Sequence, residues 1–124
     1  MTGTIKVSRV ESLWTNPSPS NQFTAQDISI ANLSEYNLIA IVYSVSGGDT
    51  GKTVQVVNYV EGLTVTLFAA YTPASGASSL CKRSFVIRPT KIEMNAANEN
   101  FVNATTRVTN NNRCVPVEVY GIKL

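Results

Sequence analysis

The chain contains no histidine. That removes the commonest general base, the Ser-His-Asp and Cys-His nucleophilic pairs, and every imidazole metal site. The residues left with chemical potential are two cysteines, Cys81 and Cys114, and a scatter of carboxylates. Glycoside hydrolysis needs two carboxyl groups flanking one bond. Most of Asp27, Asp49, Glu11, Glu35, Glu61, Glu93, Glu99 and Glu118 fall instead at turns or on polar strand faces, and no motif supports a catalytic pair among them. Two cysteines without histidine do not complete a tetrahedral zinc site, so no metal and no cofactor is expected. In a chain made in the cytosol they read as reduced, buried thiols, with one disulfide as the alternative. Gly51-Lys52-Thr53 ends like a phosphate-binding loop. Ser46 stands where that motif requires its first glycine, and both flanks read as strands, so a turn is the better reading.

With catalysis set aside, binding chemistry remains. Trp14, Tyr36, Tyr43, Tyr59, Tyr71 and Tyr120 are the aromatics that could stack on a sugar ring. Trp14, Tyr43 and Tyr59 read as core fillers, since Tyr and Trp bury large apolar areas while their polar tips find a partner. Tyr71 borders a Ser/Gly/Ala loop and is the best exposed candidate. Polar loops are expected at 46–52, 72–79 and 95–103, and Asp49, Tyr71 and Asn98 are the candidate receptor contacts within or beside them. Lys82, Arg83, Arg88 and Lys91 form the densest basic stretch. On one strand Lys82 and Arg88 would share one face, and Arg83 and Lys91 the other. A nucleic-acid site would want a single basic face with interleaved aromatics, so no nucleic-acid partner is expected.

The elements that would position these residues are strands. Charged residues are only 15%, below the roughly 25% of an average domain, and Thr, Ser and Asn take their place. That mixture suits sheets with one wet face and suits surface helices poorly. An extended segment over 4–14 is followed by Asn16-Pro17-Ser18-Pro19-Ser20-Asn21, a loop with two prolines. Residues 23–31 alternate, with a parity change near Gln26-Asp27 that suggests a bulge. Residues 36–45 are apolar on both faces and read as a central strand. Strands are predicted over 53–60 and 63–71, joined at Glu61-Gly62 by a tight hairpin turn. In the second of them Leu63, Val65, Leu67 and Ala69 face one way. Strand 80–88 turns Cys81, Phe85 and Ile87 to one side. Residues 91–94 read as a short edge strand, 95–103 as loop, 107–109 as strand and Asn110-Asn111-Asn112 as a turn. Val115, Val117 and Val119 close the chain, with Pro116 marking an edge position or a bulge. The sum is one all-β domain over residues 1–124, an antiparallel, jelly-roll-like β-sandwich of about eight or nine strands. The start lacks a signal peptide and no run is long and apolar enough to span a bilayer, so neither export nor a membrane is expected.

Two stretches carry a resemblance. Leu13-Trp14-Thr15-Asn16-Pro17-Ser18-Pro19, followed by Phe23-Thr24-Ala25-Gln26-Asp27-Ile28, resembles the opening of small phage and prophage structural domains. Tyr120-Gly121-Ile122-Lys123 resembles the end of the same domains, and Leu33-Ser34-Glu35-Tyr36 and Arg83-Ser84-Phe85 fit between. These domains form the head or tip of tail-fibre and other virion-fibre proteins of phages of Gram-positive gut bacteria. The resemblance implies a β-sandwich located in the virion, a homotrimer, contact with other virion proteins, and recognition of a host cell-surface glycan. A capsid decoration protein without a ligand and a stand-alone carbohydrate-binding module are the alternatives.

Overall fold

A computed structural model describes residues 8–44, 52–71, 79–101, 107–109 and 113–124. Nine strands run through them: β1 (Arg9–Thr15), β2 (Gln26–Ser29), β3 (Leu38–Ser44), β4 (Lys52–Asn58), β5 (Thr64–Tyr71), β6 (Ser79–Arg88), β7 (Lys91–Phe101), β8 (Arg107–Thr109) and β9 (Val115–Lys123). One short 3₁₀ turn, Leu33–Glu35, lies between β2 and β3. The first sheet has the order β1-β9-β3-β4. The second has the order β2-β7-β6-β5, with β8 added to β7. Every pairing is antiparallel, and the all-β sandwich expected from alternation is what forms.

The core lies between the sheets because strand alternation sends every second side chain inward. Ile39, Ile41 and Tyr43 of β3 meet Leu67 of β5, Phe85 and Ile87 of β6, and Ile92 of β7 in one buried cluster. The Tyr43 hydroxyl bridges the sheets by donating to the Phe68 carbonyl of β5. Cys81 and Cys114 are not joined by a disulfide, and both are fully buried in the same cluster. Gly121 admits the Tyr36 ring, which a Cβ there would overlap. The Tyr36 hydroxyl then donates to Glu11 Oε2 at 2.6 Å.

Several expectations need correction. Glu61-Gly62 does not make a hairpin: β4 and β5 belong to different sheets, and this corner carries the chain between them. Gly62 takes a φ of 82°, and its N–H donates to the Ile87 carbonyl, tying the corner to β6. Residues 91–101 form one strand paired with β6 on one side and with β2 and β8 on the other, not a short edge strand followed by a loop. Lys91 shares no face with Arg83. Pro89 and Thr90 turn the chain, and Lys91 lies outside, 3.1 Å from Asp27 and 3.6 Å from Glu93. Of the two readings of Pro116 the edge position falls and the bulge holds: Pro116 is buried in a central strand, where the register shift opposite Val42 and Tyr43 accommodates the missing N–H. The turn expected at 110–112 lies outside the described residues.

The two outer faces differ. On the second sheet Arg88 pairs with Glu93 at 2.6 Å, Lys91 with Asp27, and Thr66 with Ser84 at 3.0 Å. This face is mostly polar, with Phe68 of β5 the large apolar residue exposed on it. On the first sheet the outward register aligns Val10, Ile122 and Leu38 in one row and Tyr120, Ala40 and Val56 in the next. Val42 and Val54 follow.

Candidate functional site

The segment between β1 and β2 crosses from one sheet to the other over the end of the sandwich, and it encloses a cleft of about 330 Å³. Trp14, Asn16, Pro17, Ser18, Asn21, Gln22, Phe23 and Gln26 line it. The crossing is built by local hydrogen bonds. The Asn16 N–H donates to the Val117 carbonyl at 2.8 Å, and Asn16 Nδ2 to the Pro116 carbonyl at 2.8 Å. Asn16 Oδ1 accepts the Ser18 N–H at 2.8 Å, an Asx turn that starts the loop. Pro19 sits second in a turn closed by the Asn21 N–H to the Ser18 carbonyl, 3.1 Å, where its fixed φ is favoured.

The floor of the cleft is aromatic. Trp14 and Phe23 meet edge to face, with centroids 6.0 Å apart and planes at 79°. Phe23 is buried, while Trp14 keeps part of its ring at the surface. Asn21, Gln22 and Gln26 are exposed around them. Gln26 Nε2 is steered by the Thr24 carbonyl at 3.2 Å and the Thr24 hydroxyl at 3.3 Å.

Beneath the cleft lies Arg83, wholly buried. Its Nη2 donates to the Phe23 carbonyl at 2.6 Å and to the Arg113 carbonyl at 2.9 Å. Nη1 donates to the Asn95 carbonyl at 2.8 Å, and Nε is shared between the Arg113 and Cys114 carbonyls at 3.1 Å each. The guanidinium carbon also stands 5.6 Å from the Phe23 ring centroid, within reach of a cation–π contact. Among described residues its hydrogen-bond partners are backbone carbonyls. Burial lowers the Arg83 pKa from its ordinary value, yet a guanidinium retains its charge in proteins. The planar fork with five donors is what lets one side chain tie the cleft loop, β7 and the entry to β9 together. Cys114, at this entry, adopts a left-handed φ of 52°. Its hydrogen bond to Cys81, then burial, push its thiol far above the ordinary range.

The lining of the cleft holds amides, a hydroxyl, aromatic rings and a proline, and no ionisable side chain. Amides donate and accept at once, which matches the paired donor–acceptor character of a hydroxyl. The volume is at the small end of ligand sites. Such a lining offers paired donors and acceptors beside aromatic surface.

Of the residues singled out from sequence, Asp49 lies outside the described residues. Tyr71 ends β5 opposite Ser79, and Asn98 lies within β7 opposite Arg83. The structure describes neither side chain, and the described residues that line the cleft are others. Tyr43 is core, as expected, and Tyr59 is packed against it. Trp14 does both jobs, packing on the core and lining the cleft. Sequence reasoning missed Arg83. The signal was there: Arg83 occupies the inward parity of β6 between Cys81 and Phe85.

Among the described residues no three His, Cys, Asp or Glu side chains group as metal ligands, and no helix is long and apolar enough to cross a membrane. Compared with protein-family models, with curated proteins and with solved structures, the chain matches none.

Proposed function

We propose that this chain is a non-enzymatic virion structural module, a fibre head or tip domain that contributes to recognition of a neutral glycan on the host surface. One observation carries the reading: an uncharged cleft of amides and one part-exposed indole, held rigid from below by a buried arginine. The segment that builds the cleft is also the segment that carries the resemblance to phage fibre domains, Leu13 to Ile28. A single cleft of this size binds a sugar weakly, and several copies on one particle turn weak contacts into useful avidity. The resemblance implies three copies; the open edge of the first sheet, treated below, favours two.

A free carbohydrate-binding module fits less well. Such modules present a flat aromatic row, whereas Trp14 and Phe23 stand nearly perpendicular. A decoration protein without a ligand would have no use for the cleft. The test is retention of the purified protein on host cells or their neutral wall polysaccharide, together with antibody labelling of phage particles. Retention that falls at least about tenfold for Trp14→Ala supports the reading. Absence of both retention and particle labelling refutes it.

A further inference from the structure

Strand β4 ends its sheet and, among the described residues, pairs only with β3. An edge strand presents a row of open N–H and C=O groups, and proteins normally blunt such edges. Two other edges, β1 and β2, are blunted. β1 carries Arg9 and Glu11 and a register shift between Ser12 and Trp14. β2 has four residues and includes Asp27. On β5 the Phe68 carbonyl is taken by the Tyr43 hydroxyl. β4 has none of these devices. Its seven residues, Lys-Thr-Val-Gln-Val-Val-Asn, pair with β3 without a shift, contain no proline, and bear one charge at the very start. Val54 and Val56 point outward and are 54% and 48% exposed.

We infer that β4 pairs with β4 of a second copy of this chain, antiparallel about a two-fold axis through Gln55. The register follows from parity and from pairing the whole strand. Directly opposed residues must point to the same side of the sheet, so the two positions must be both odd or both even. Centring on Gln55 satisfies this and pairs the whole strand: Lys52 faces the partner's Asn58, Thr53 faces the partner's Val57, and Val54 faces the partner's Val56. The lone lysine of each strand is thus opposite an amide and at the far end from its copy. The two most exposed valines of the strand cover each other twice, once on each side of the axis. The same patch meets itself, as a closed two-fold contact requires. The two first sheets then form one eight-stranded sheet, built from four strands of each chain.

The test is solution mass by light scattering across a hundredfold range of concentration, with folding checked by circular dichroism. The native chain is expected at twice 13.4 kDa. V54K/V56K sets lysine against lysine in both outward pairs and is expected at the monomer mass. V54K/V56E sets each new lysine against a glutamate of the other copy and is expected to restore the dimer. A native chain that stays monomeric, or a V54K/V56K chain that stays associated at any copy number, three included, overturns the inference. So does failure of folded V54K/V56E to re-associate. Glycan retention by monomeric V54K/V56K is read separately, because the cleft lies in the β1–β2 crossing and contains no β4 residue.

Discussion

Replacing Arg83 by methionine tests whether the carbonyl cage stabilises the fold. Two opposing effects decide the sign. Methionine removes a charge from the interior, which relieves several kcal/mol of desolvation. It also orphans the carbonyls of Phe23, Asn95, Arg113 and Cys114. The Asn95 and Arg113 contacts are part-buried, and water can replace them. The bonds to Phe23 and Cys114 are buried, and each stranded carbonyl costs about 1–3 kcal/mol. The two buried bonds were charge-assisted, each contributing about 1.5–3 kcal/mol with the desolvation already counted in that net value. The loss therefore exceeds the relief, and R83M is expected to be destabilised by about 3 kcal/mol. With a urea slope of about 1–3 kcal/mol/M for a domain of this size, the unfolding midpoint falls by about 1–3 M. Equilibrium urea unfolding followed by tryptophan fluorescence measures it, since Trp14 is the sole tryptophan and sits against Phe23. A midpoint within about 0.3 M of the native chain, or above it, would show that the cage contributes nothing net and would refute the reasoning.

Other outcomes follow from the same geometry. Gly121→Ala places a methyl in the Tyr36 ring and should cost about 1–3 kcal/mol of stability by overpacking, read as a lower thermal midpoint and a changed near-UV tyrosine signal. Both cysteines are fully buried, so a thiol reagent should titrate neither in the native chain and both in denaturant; rapid native labelling would contradict the packing. The hydrogen bond to Glu11 raises the Tyr36 pKa above 10.0, and burial does the same for Tyr43 and Tyr59. Folded tyrosines that hold their protons more tightly than unfolded ones contribute stability that is complete below pH 10 and lost as pH rises through the folded values. Absorbance at alkaline pH should show late tyrosine ionisation coinciding with unfolding, and early reversible ionisation of all five tyrosines would contradict this.

The strands and their facing were legible because alternation has a period of two and a buried face cannot slip. β3 is apolar on both sides and is central, and Leu67 and Ala69 point inward as their parity requires. Partners and paths were less legible. Periodicity does not say whether the chain returns beside itself at Gly62 or crosses to the other sheet. The polar run Asn95-Ala96-Ala97-Asn98-Glu99-Asn100 has loop composition, but β7 runs through it: Asn95 to Ala97 fall in the register shift opposite Ser84, and Asn98 to Asn100 pair with β6, Glu99 and Asn100 also with β8, a case of context overriding propensity. The cleft escaped for a similar reason. Its residues come from a proline-rich stretch whose composition says loop and nothing about concavity. Asp49, Tyr71 and Asn98 rested on loop length and composition, which do not reveal a floor such as Phe23 anchored through Arg83.

The central claim is that the cleft between β1 and β2 is the glycan site. Its most direct test is an amide and indole chemical-shift titration of the native chain with neutral wall oligosaccharides from a Gram-positive gut bacterium. The account predicts saturable shifts at the Trp14 indole N–H and at the side-chain amides of Asn21, Gln22 and Gln26, lost in Trp14→Ala. Shifts centred on residues 46–52 or 72–79 instead, or none at millimolar ligand, would contradict it.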